Sequence, residues 1–281
     1  MVPKFILNKI NNYIDIRDEN TLFVKTIFSS NIHTESKNIN PTCVVNTEKV
    51  NNIRRINKFH ETVNQELIQG GIYVSCAETL EDRRIRIKDN TTRGFISFIL
   101  FVDFIFKRVF PKLPIIKTLF FSITSGNNRV ISKAEILGRL ISCGFDILEH
   151  FEFENLLYVI AKKVKQPSYD LKASYGFLIK LKRHGFNEKP IKVYKFRTMH
   201  PYSEYLQEYI YKNNKLEEGG KFKNDFRVTG WGQFMRRIWL DELPMIYNWI
   251  KGDIKFIGVR PVSYTHLRAH ETVLISYAVF C

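Results

Sequence analysis

The sequence predicts an α/β protein in which an amino-terminal domain built on a parallel sheet precedes a smaller α+β domain. Two patterns predict the first domain: a strand, a helix and a second strand over residues 42–76, and a helix that leads into two strands over residues 132–164. A dense series of arginine-containing motifs between residues 175 and 261 marks the second domain. A length of 281 residues also favours two domains over one.

The first pattern starts with residues 42–46, which have the β-branched and apolar composition of a short buried strand. Apolar residues then recur at helical spacing, at Val50, Ile53, Ile56, Phe59, Val63 and Leu67. Gly70 and Gly71 end this helix, and residues 72–76 form the next strand. A strand, a helix and a strand in this order imply a parallel pair.

The second pattern opens with Ser132 and Glu135, which have the spacing of a capping box. The helix that they start ends at Cys143, and residues 145–153 and 156–164 follow as two strands. Together the two patterns resemble the later half of a class I methyltransferase fold. No glycine-rich G-x-G-x-G turn precedes them. We therefore expect a Rossmann-like, methyltransferase-like domain over residues 1–165, without a cofactor site for S-adenosylmethionine.

Two apolar segments, 95–106 and 113–124, raise the question of a membrane span. Both are shorter than the roughly 18 apolar residues that a spanning helix needs, and Asp103 or Lys117 interrupts each. A charge at mid-bilayer costs about 2.5–3.5 kcal/mol. We expect no full span. The favoured interpretation is a buried helix and strand of the first domain, and the alternative is an interfacial hairpin hinged at the prolines between the segments.

The net charge limits the classes of partner. The net charge of +15 indicates an anionic partner, which could be a nucleotide, a phospholipid surface or a nucleic acid. Nucleic acid is not expected, because no helix-turn-helix, RNA-recognition or zinc-finger pattern is present.

The 4 cysteines lack CxxC spacing, which favours buried thiols in a reducing compartment. The start of the chain shows no secretory signal pattern.

The adjacent carboxylates Asp241 and Glu242 lie between two arginines and Pro244, in the stretch R-R-I-W-L-D-E-L-P. Proline suits the first turn of a helix, and one apolar stripe follows, made of Leu243, Ile246, Tyr247 and Ile250. We predict a helix that starts here, ends near Gly252 and points unpaired N–H groups at an anion. Acidic residues at a helix start are more often caps than catalysts, so the pair alone is a weak signal.

Further cationic motifs precede and follow this stretch. In Y-K-F-R-T-M, Lys195 and Arg197 alternate, and a strand would direct both to one face, where they could grip a diphosphate. Arg227 and Arg236 lie in D-F-R-V-T and in the segment G-Q-F-M-R that follows it. Each cation could equally be an exposed surface residue. The motifs K-G-D, at 251–253, and G-V-R-P, at 258–261, complete the series.

Order and spacing of these motifs resemble those of the bacterial sugar transferases, the monotopic phosphoglycosyl transferases that begin lipid-linked glycan synthesis. The family pattern runs K-F-R-T-M, D-x-R-V/I-T-x-x-G-x-x-x-R, L-D-E-L-P, K-G-D and G-P-R-P, and Val259 replaces a proline of the last motif. The resemblance implies transfer of a sugar-1-phosphate from a UDP-sugar to polyprenyl phosphate, for capsule, exopolysaccharide or O-antigen synthesis. It also implies an anionic membrane surface as partner, at the cytoplasmic face of the bacterial inner membrane, with peripheral or monotopic attachment.

The resemblance further implies roles for individual residues. Asp241 would be the nucleophile that carries an aspartyl-phosphosugar intermediate, and Glu242 would hold Mg²⁺ or manage protons, with both carboxylates as metal ligands. The substrate-binding residues implied are Lys195, Arg197, Arg227, Arg236, Arg260 and Pro261. Which carboxylate performs which task is left open by the sequence, as are the sugar, the base and the oligomeric state.

We predict a catalytic domain over residues 166–263 that is truncated at its carboxyl end, and an anomalous tail over 264–281 that resembles an artefact of sequence assembly. A polar linker at 162–167 stands where family members carry a membrane hairpin. Two alternatives to the transferase are a methyltransferase-derived binding protein without catalysis and a basic nucleic-acid-binding module.

Overall fold

The computed structural model describes residues 2–37, 39–113, 116–169, 176–184, 189–213 and 225–255. The chain divides into two compact units. Unit 1 comprises Met1–Ala173 and Pro201–Phe226, and unit 2 comprises Ser174–His200 and Arg227–Cys281. The boundaries predicted after residues 165 and 263 stay predictions. The predicted tail, 264–281, lies outside the described residues.

Unit 1 is a mixed α/β structure around a five-stranded sheet of order β1-β2-β3-β5-β4. The strands are β1 Thr21–Val24, β2 Cys43–Lys49, β3 Ile72–Ala77, β4 Phe145–Phe153 and β5 Leu156–Lys163. The first three strands pair in parallel, and β5 runs antiparallel between β3 and β4. The predicted parallel β-α-β unit is confirmed, since β2 and β3 pair with Val44 opposite Tyr73.

The α-helices of unit 1 that the structure describes are α1 Lys4–Asn11, α2 Ser29–Ser36, α3 Ile56–Glu66, α4 Leu80–Asp89, α5 Ile96–Phe104, α6 Ile116–Thr124, α7 Lys133–Ser142 and α8 Gln207–Asn213. Alternate residues of β2 belong to two different apolar clusters, Val44 to one and Cys43 and Val45 to the other. The sheet therefore lies between two cores, as the alternation of side chains along a strand requires.

The described cysteines, Cys43, Cys76 and Cys143, are buried free thiols. Burial raises the pKa of each to about 12, so these thiols are unreactive near neutral pH. The expected burial is thus confirmed for the described cysteines.

The segment after residue 200 packs onto α7. A Cβ added at Gly138 would lie 2.3 Å from the carbonyl oxygen of Tyr202, so only glycine permits this approach. The guanidinium of Arg139 lies over the ring of Tyr202 at 4.4 Å, and Leu206 and Ile210 are buried in the core of unit 1. This packing assigns the segment 201–226 to unit 1 rather than to the unit that contains the flanking motifs.

Two parts of the expectation for the apolar segments are wrong, namely the burial of the first segment and the strand in the second. No residue of α5 is buried, and the second segment forms the helix α6 rather than a strand. Hydropathy reports how apolar a helix is but not whether other elements cover it. Among the helices that the structure describes, none is both long and apolar enough to cross a bilayer.

Unit 2 contains an antiparallel hairpin of β6 Leu178–His184 and β7 Pro190–Phe196. The helices α9 Gly230–Arg237 and α10 Met245–Ile250 follow, with a 3-10 turn at Leu240–Glu242 between them.

Candidate active site

The carboxylate pair lies on the 3-10 turn of unit 2, next to β7. Trp239, which precedes the turn, has a left-handed backbone with φ of 59°, and Glu242 N–H donates to its carbonyl oxygen at 3.1 Å. Glu242 is buried, and its Oε1 pairs with the ammonium group of Lys195. A bulky residue in the left-handed region is strained, and such strain occurs often at functional sites.

The predicted helix start at this pair is wrong, because α10 begins only at Met245, after Pro244. Two N–H groups in this region bond within the turns: Leu243 N–H donates to the Leu240 carbonyl, and Ile246 N–H donates to the Leu243 carbonyl. These two N–H groups are therefore not available to an anion. Gly252 does end α10 as predicted, with φ of 79°. The residues of the apolar stripe are exposed, namely Leu243, Ile246, Tyr247 and Ile250.

Asn248, which sequence reasoning missed, holds α10 against β7. Its side chain is completely buried. Its Oδ1 accepts from Tyr194 N–H at 2.9 Å, and its Nδ2 donates to the Lys192 carbonyl at 2.7 Å. Nδ2 also donates to Asp253 of the K-G-D motif at 3.1 Å. A lone asparagine inside the apolar run M-I-Y-N-W-I is the sequence signal that could have indicated this role.

Thr229, Gly232 and Thr198 join α9 to the K-F-R-T-M segment. Thr229 caps α9, its Oγ1 accepting from Gly232 N–H at 2.8 Å, and its own N–H donates to the Thr198 carbonyl at 3.0 Å. A Cβ at Gly232 would lie 2.0 Å from the Thr198 carbonyl oxygen. Arg236 Nε donates to Thr198 Oγ1 at 3.0 Å. The spacing T-x-x-G-x-x-x-R therefore has a structural cause: Thr229 caps the helix, Gly232 permits close approach to Thr198, and Arg236 bonds to the Thr198 side chain.

The other predicted cations have different surroundings. Arg197 lies just beyond the end of β7, and its Nε donates to the Gly176 carbonyl at 3.0 Å, whereas Lys195 pairs with Glu242. The two alternating cations thus have separate protein partners. Arg227 is buried, and its carbonyl accepts from His200 N–H at 2.8 Å. The predicted Arg260 and Pro261 lie outside the described residues.

Asp241 differs from Glu242 in its partners. Within the described part of the chain, the Asp241 carboxylate has neither a hydrogen bond nor an ion pair, and it is half-buried. No group of three or more His, Cys, Asp or Glu residues capable of holding a metal occurs in that part of the chain. Mg²⁺ is commonly bound by only one or two carboxylates together with substrate phosphates and water. The donor set of Asp241 and Glu242 is therefore compatible with Mg²⁺.

Exposed apolar side chains occur on both sides of this carboxylate pair in the sequence of unit 2. They are Trp231, Phe234, Ile238, Trp239, Leu243, Ile246, Tyr247, Trp249 and Ile250. An apolar surface of this composition beside carboxylates and cations suits an amphiphilic ligand that carries both a charged head and a lipid chain.

Comparison with known proteins gives a match for the second part of the chain. Residues 155–279 match the family model described as bacterial sugar transferase. The UDP-glucose:undecaprenyl-phosphate glucose-1-phosphate transferases of Klebsiella pneumoniae and Escherichia coli (strain K12) are 31% and 32% identical over 159 and 155 residues. These alignments cover 57% and 54% of this chain, and 30% and 28% of the relatives. Exopolysaccharide production protein ExoY of Rhizobium meliloti is 36% identical over 101 residues, 34% of this chain and 45% of its own. The chain thus spans about a third of the length of the first two relatives.

Proposed function

We propose that the chain is a bacterial sugar transferase that transfers a sugar-1-phosphate from a UDP-sugar to polyprenyl phosphate, on the basis of the family-model match over residues 155–279. Two similar proteins are named for transfer of glucose-1-phosphate from UDP-glucose to undecaprenyl phosphate. The observation that carries the proposal is the division of labour in the carboxylate pair. Glu242 is neutralised by Lys195, while Asp241 next to it has no partner among the described residues.

Asp241 acts as the nucleophile in this proposal. A bond forms between its carboxylate oxygen and the sugar-bearing phosphorus, and the bond from that phosphorus to the bridging oxygen breaks, so that UMP leaves with the electron pair. An oxygen of polyprenyl phosphate then attacks the same phosphorus and releases the Asp241 carboxylate. Lys195 offsets negative charge beside the pair, which lowers the repulsion between an anionic nucleophile and an anionic substrate.

Mg²⁺ would be held by Asp241 and Glu242 together with oxygens of the substrate diphosphate. When bound, the ion neutralises the phosphate charge that develops as the bridging bond breaks. Because Glu242 already pairs with Lys195 through Oε1, its second oxygen is the one that suits a metal.

The remaining cations bind the diphosphate in this account. The Nε of Arg236 donates a hydrogen bond to Thr198 Oγ1. The terminal N–H groups of Arg236 have no partner among the described residues. A guanidinium fixed at one end presents the other in a set direction, which suits bidentate phosphate binding. Arg197, Arg227, Arg260 and Pro261 complete the proposed substrate-binding set on the strength of the family pattern.

The exposed apolar side chains around the pair support a lipid-linked acceptor and a position at an anionic membrane surface. We place this surface at the cytoplasmic face of the inner membrane, since UDP-sugars are cytoplasmic substrates. The high positive charge of +15 favours attraction to anionic lipid.

Unit 1 is proposed to derive from the later half of a class I methyltransferase. Support comes from its strand order, in which the antiparallel strand β5 lies between β3 and the edge strand β4. The turn after β1 reads K-T-I-F-S-S, without the glycines that allow close approach to a nucleotide. Titration with S-adenosylmethionine is therefore expected to give no saturable binding, and binding would support the alternative of a methyltransferase-derived binding protein.

The transferase is tested by release of UMP. The full chain is incubated in detergent with Mg²⁺, undecaprenyl phosphate and a panel of UDP-sugars. Release is expected with at least one sugar, and it should require the polyprenyl phosphate for more than one turnover. Asp241→Asn should abolish release, whereas the exposed carboxylate variant Glu208→Gln should retain it. No release with any sugar, or full activity of Asp241→Asn, would overturn the proposal.

A further inference from the structure

Residues 93–113 and 116–124 of unit 1 have an apolar outer surface without a covering element in the described structure. We define the aromatic face as Phe95, Phe98, Phe101, Leu119 and Ile123, whose side chains are between 62% and 75% exposed. The helix α5 is apolar along its whole length except for Ser97 and Asp103, and none of its residues is buried. A helix that is apolar on all sides normally lies in a protein core or in lipid.

Two charged residues of the same part of unit 1, Asp103 and Arg108, point toward the protein. Asp103 accepts two hydrogen bonds from Arg83 of α4, from Nε and from Nη2, each at 2.7 Å. Arg83 is buried and also contacts Glu78. Further along, Arg108 is buried, and its Nη1 donates to the Val130 carbonyl at 3.1 Å. Polar groups inside and aromatic groups outside are the reverse of the arrangement on a helix that faces water.

A cavity of about 450 Å³ separates α4 from α5 and combines both kinds of group. Its lining includes Arg84 and Lys88 together with Leu100, Phe101 and Phe104. Arg84 and Lys88 are exposed, as is Arg93 before α5. Cations next to an apolar groove match a lipid that has an anionic head group and acyl chains.

We propose that the aromatic face docks on an anionic lipid surface, with α5 and α6 inserted at the interface and with Arg84 and Lys88 at the head groups. A second copy of the chain is the less suitable occupant, because it brings the same exposed cations and the same net charge of +15. The inference rests on the membrane location in the proposed function but not on its transferase chemistry. It assigns attachment to unit 1, outside the residues that match the family model.

Sedimentation of the full chain with vesicles tests the proposal, using phosphatidylcholine alone and phosphatidylcholine mixed with phosphatidylglycerol. The double variant Phe98→Ser/Phe101→Ser should bind the mixed vesicles less tightly than the parent chain, by about tenfold or more. Arg84→Gln/Lys88→Gln should lose about tenfold on the mixed vesicles and little on phosphatidylcholine. The matched control Phe28→Ser removes an equally exposed phenylalanine elsewhere in unit 1 and should bind as the parent chain does.

Unchanged vesicle binding by Phe98→Ser/Phe101→Ser would overturn the proposal, and so would a dimer in lipid-free solution that this variant abolishes. Since neither side chain is buried, circular dichroism should show the parent fold. UMP release in detergent separates this proposal from the transferase. The double variant should keep that activity, and an inactive parent chain that still binds vesicles would contradict the transferase alone.

Discussion

Lys195 on β7 forms an ion pair with Glu242 on the 3-10 turn that carries Asp241. Their side chains are 23% and 11% exposed, so the pair is largely shielded from solvent. A pair in this environment fixes geometry, because breaking it leaves a partly buried charge uncompensated. The K-F-R-T-M and L-D-E-L-P motifs are thereby connected through these two side chains.

A double-mutant cycle measures this connection. Lys195→Met and Glu242→Gln are each expected to lower the free energy of unfolding by about 1–3 kcal/mol, because each leaves its partner without a counter-charge. The double variant should lose less unfolding free energy than the two single variants lose together, with a coupling energy of about 1 kcal/mol or more. Urea denaturation followed by tryptophan fluorescence reports on unit 2, since Trp231, Trp239 and Trp249 all lie there. Additive losses would show that the pair does not couple the two motifs.

Two glycines of α9 give a matched comparison. Gly232→Ala should destabilise unit 2 by about 2–3 kcal/mol, because the new methyl group would overlap the Thr198 carbonyl. Gly230→Ala meets no atom within 4 Å and should be neutral or stabilising, since alanine favours the helix. The same urea titrations check both variants. Equal midpoints for the two would mean that the approach of α9 to Thr198 does not determine stability.

His60 predicts a dependence of unit 1 stability on pH. Burial, together with the positive charge of Arg139, lowers the pKa of His60 from 6.5 to about 3, and neither ring nitrogen has a hydrogen-bond partner among the described residues. Below pH 6.5 the unfolded chain binds a proton that the folded chain does not. Stability is therefore lost as the pH falls from about 6.5 toward 3, by about 2 kcal/mol at pH 5.

His60→Leu should remove this component, so that the free energy of unfolding falls less between pH 7 and pH 5 than in the parent chain. The core variant Val63→Ala, on the same helix, should have a lower free energy of unfolding than the parent chain, by the same amount at both pH values. Unfolding followed by far-ultraviolet circular dichroism gives the measurement. An identical pH slope in His60→Leu and the parent would contradict the assignment.

The sequence was sufficient for the sheet of unit 1 because periodicity directly reflects burial there. Val63 and Leu67 recur at helical spacing, and both are buried. The alternating residues of β2 line two cores, as a strand between helical layers must. The capping position of Ser132 was also predictable, since its side chain accepts from Glu135 N–H.

Long-range contacts explain what the sequence could not predict. The burial of Leu206 depends on the approach of Tyr202 to Gly138, which are 64 residues apart in the numbering. Likewise, the exposure of α5 cannot be distinguished from burial by composition, since a buried helix and a lipid-facing helix are equally apolar. At the site, motif spacing indicated Asp241 and Glu242, but the left-handed Trp239 that places them on a 3-10 turn has no local signal.

Intact mass spectrometry tests the central claim most directly. The full chain is incubated with Mg²⁺ and a UDP-sugar in the absence of polyprenyl phosphate, so that an intermediate cannot be discharged to the acceptor. We expect one sugar phosphate added to the parent chain and to Glu208→Gln, located in the peptide that contains Asp241, and no addition to Asp241→Asn. The same addition on Asp241→Asn would show that another residue is the nucleophile and would contradict the account.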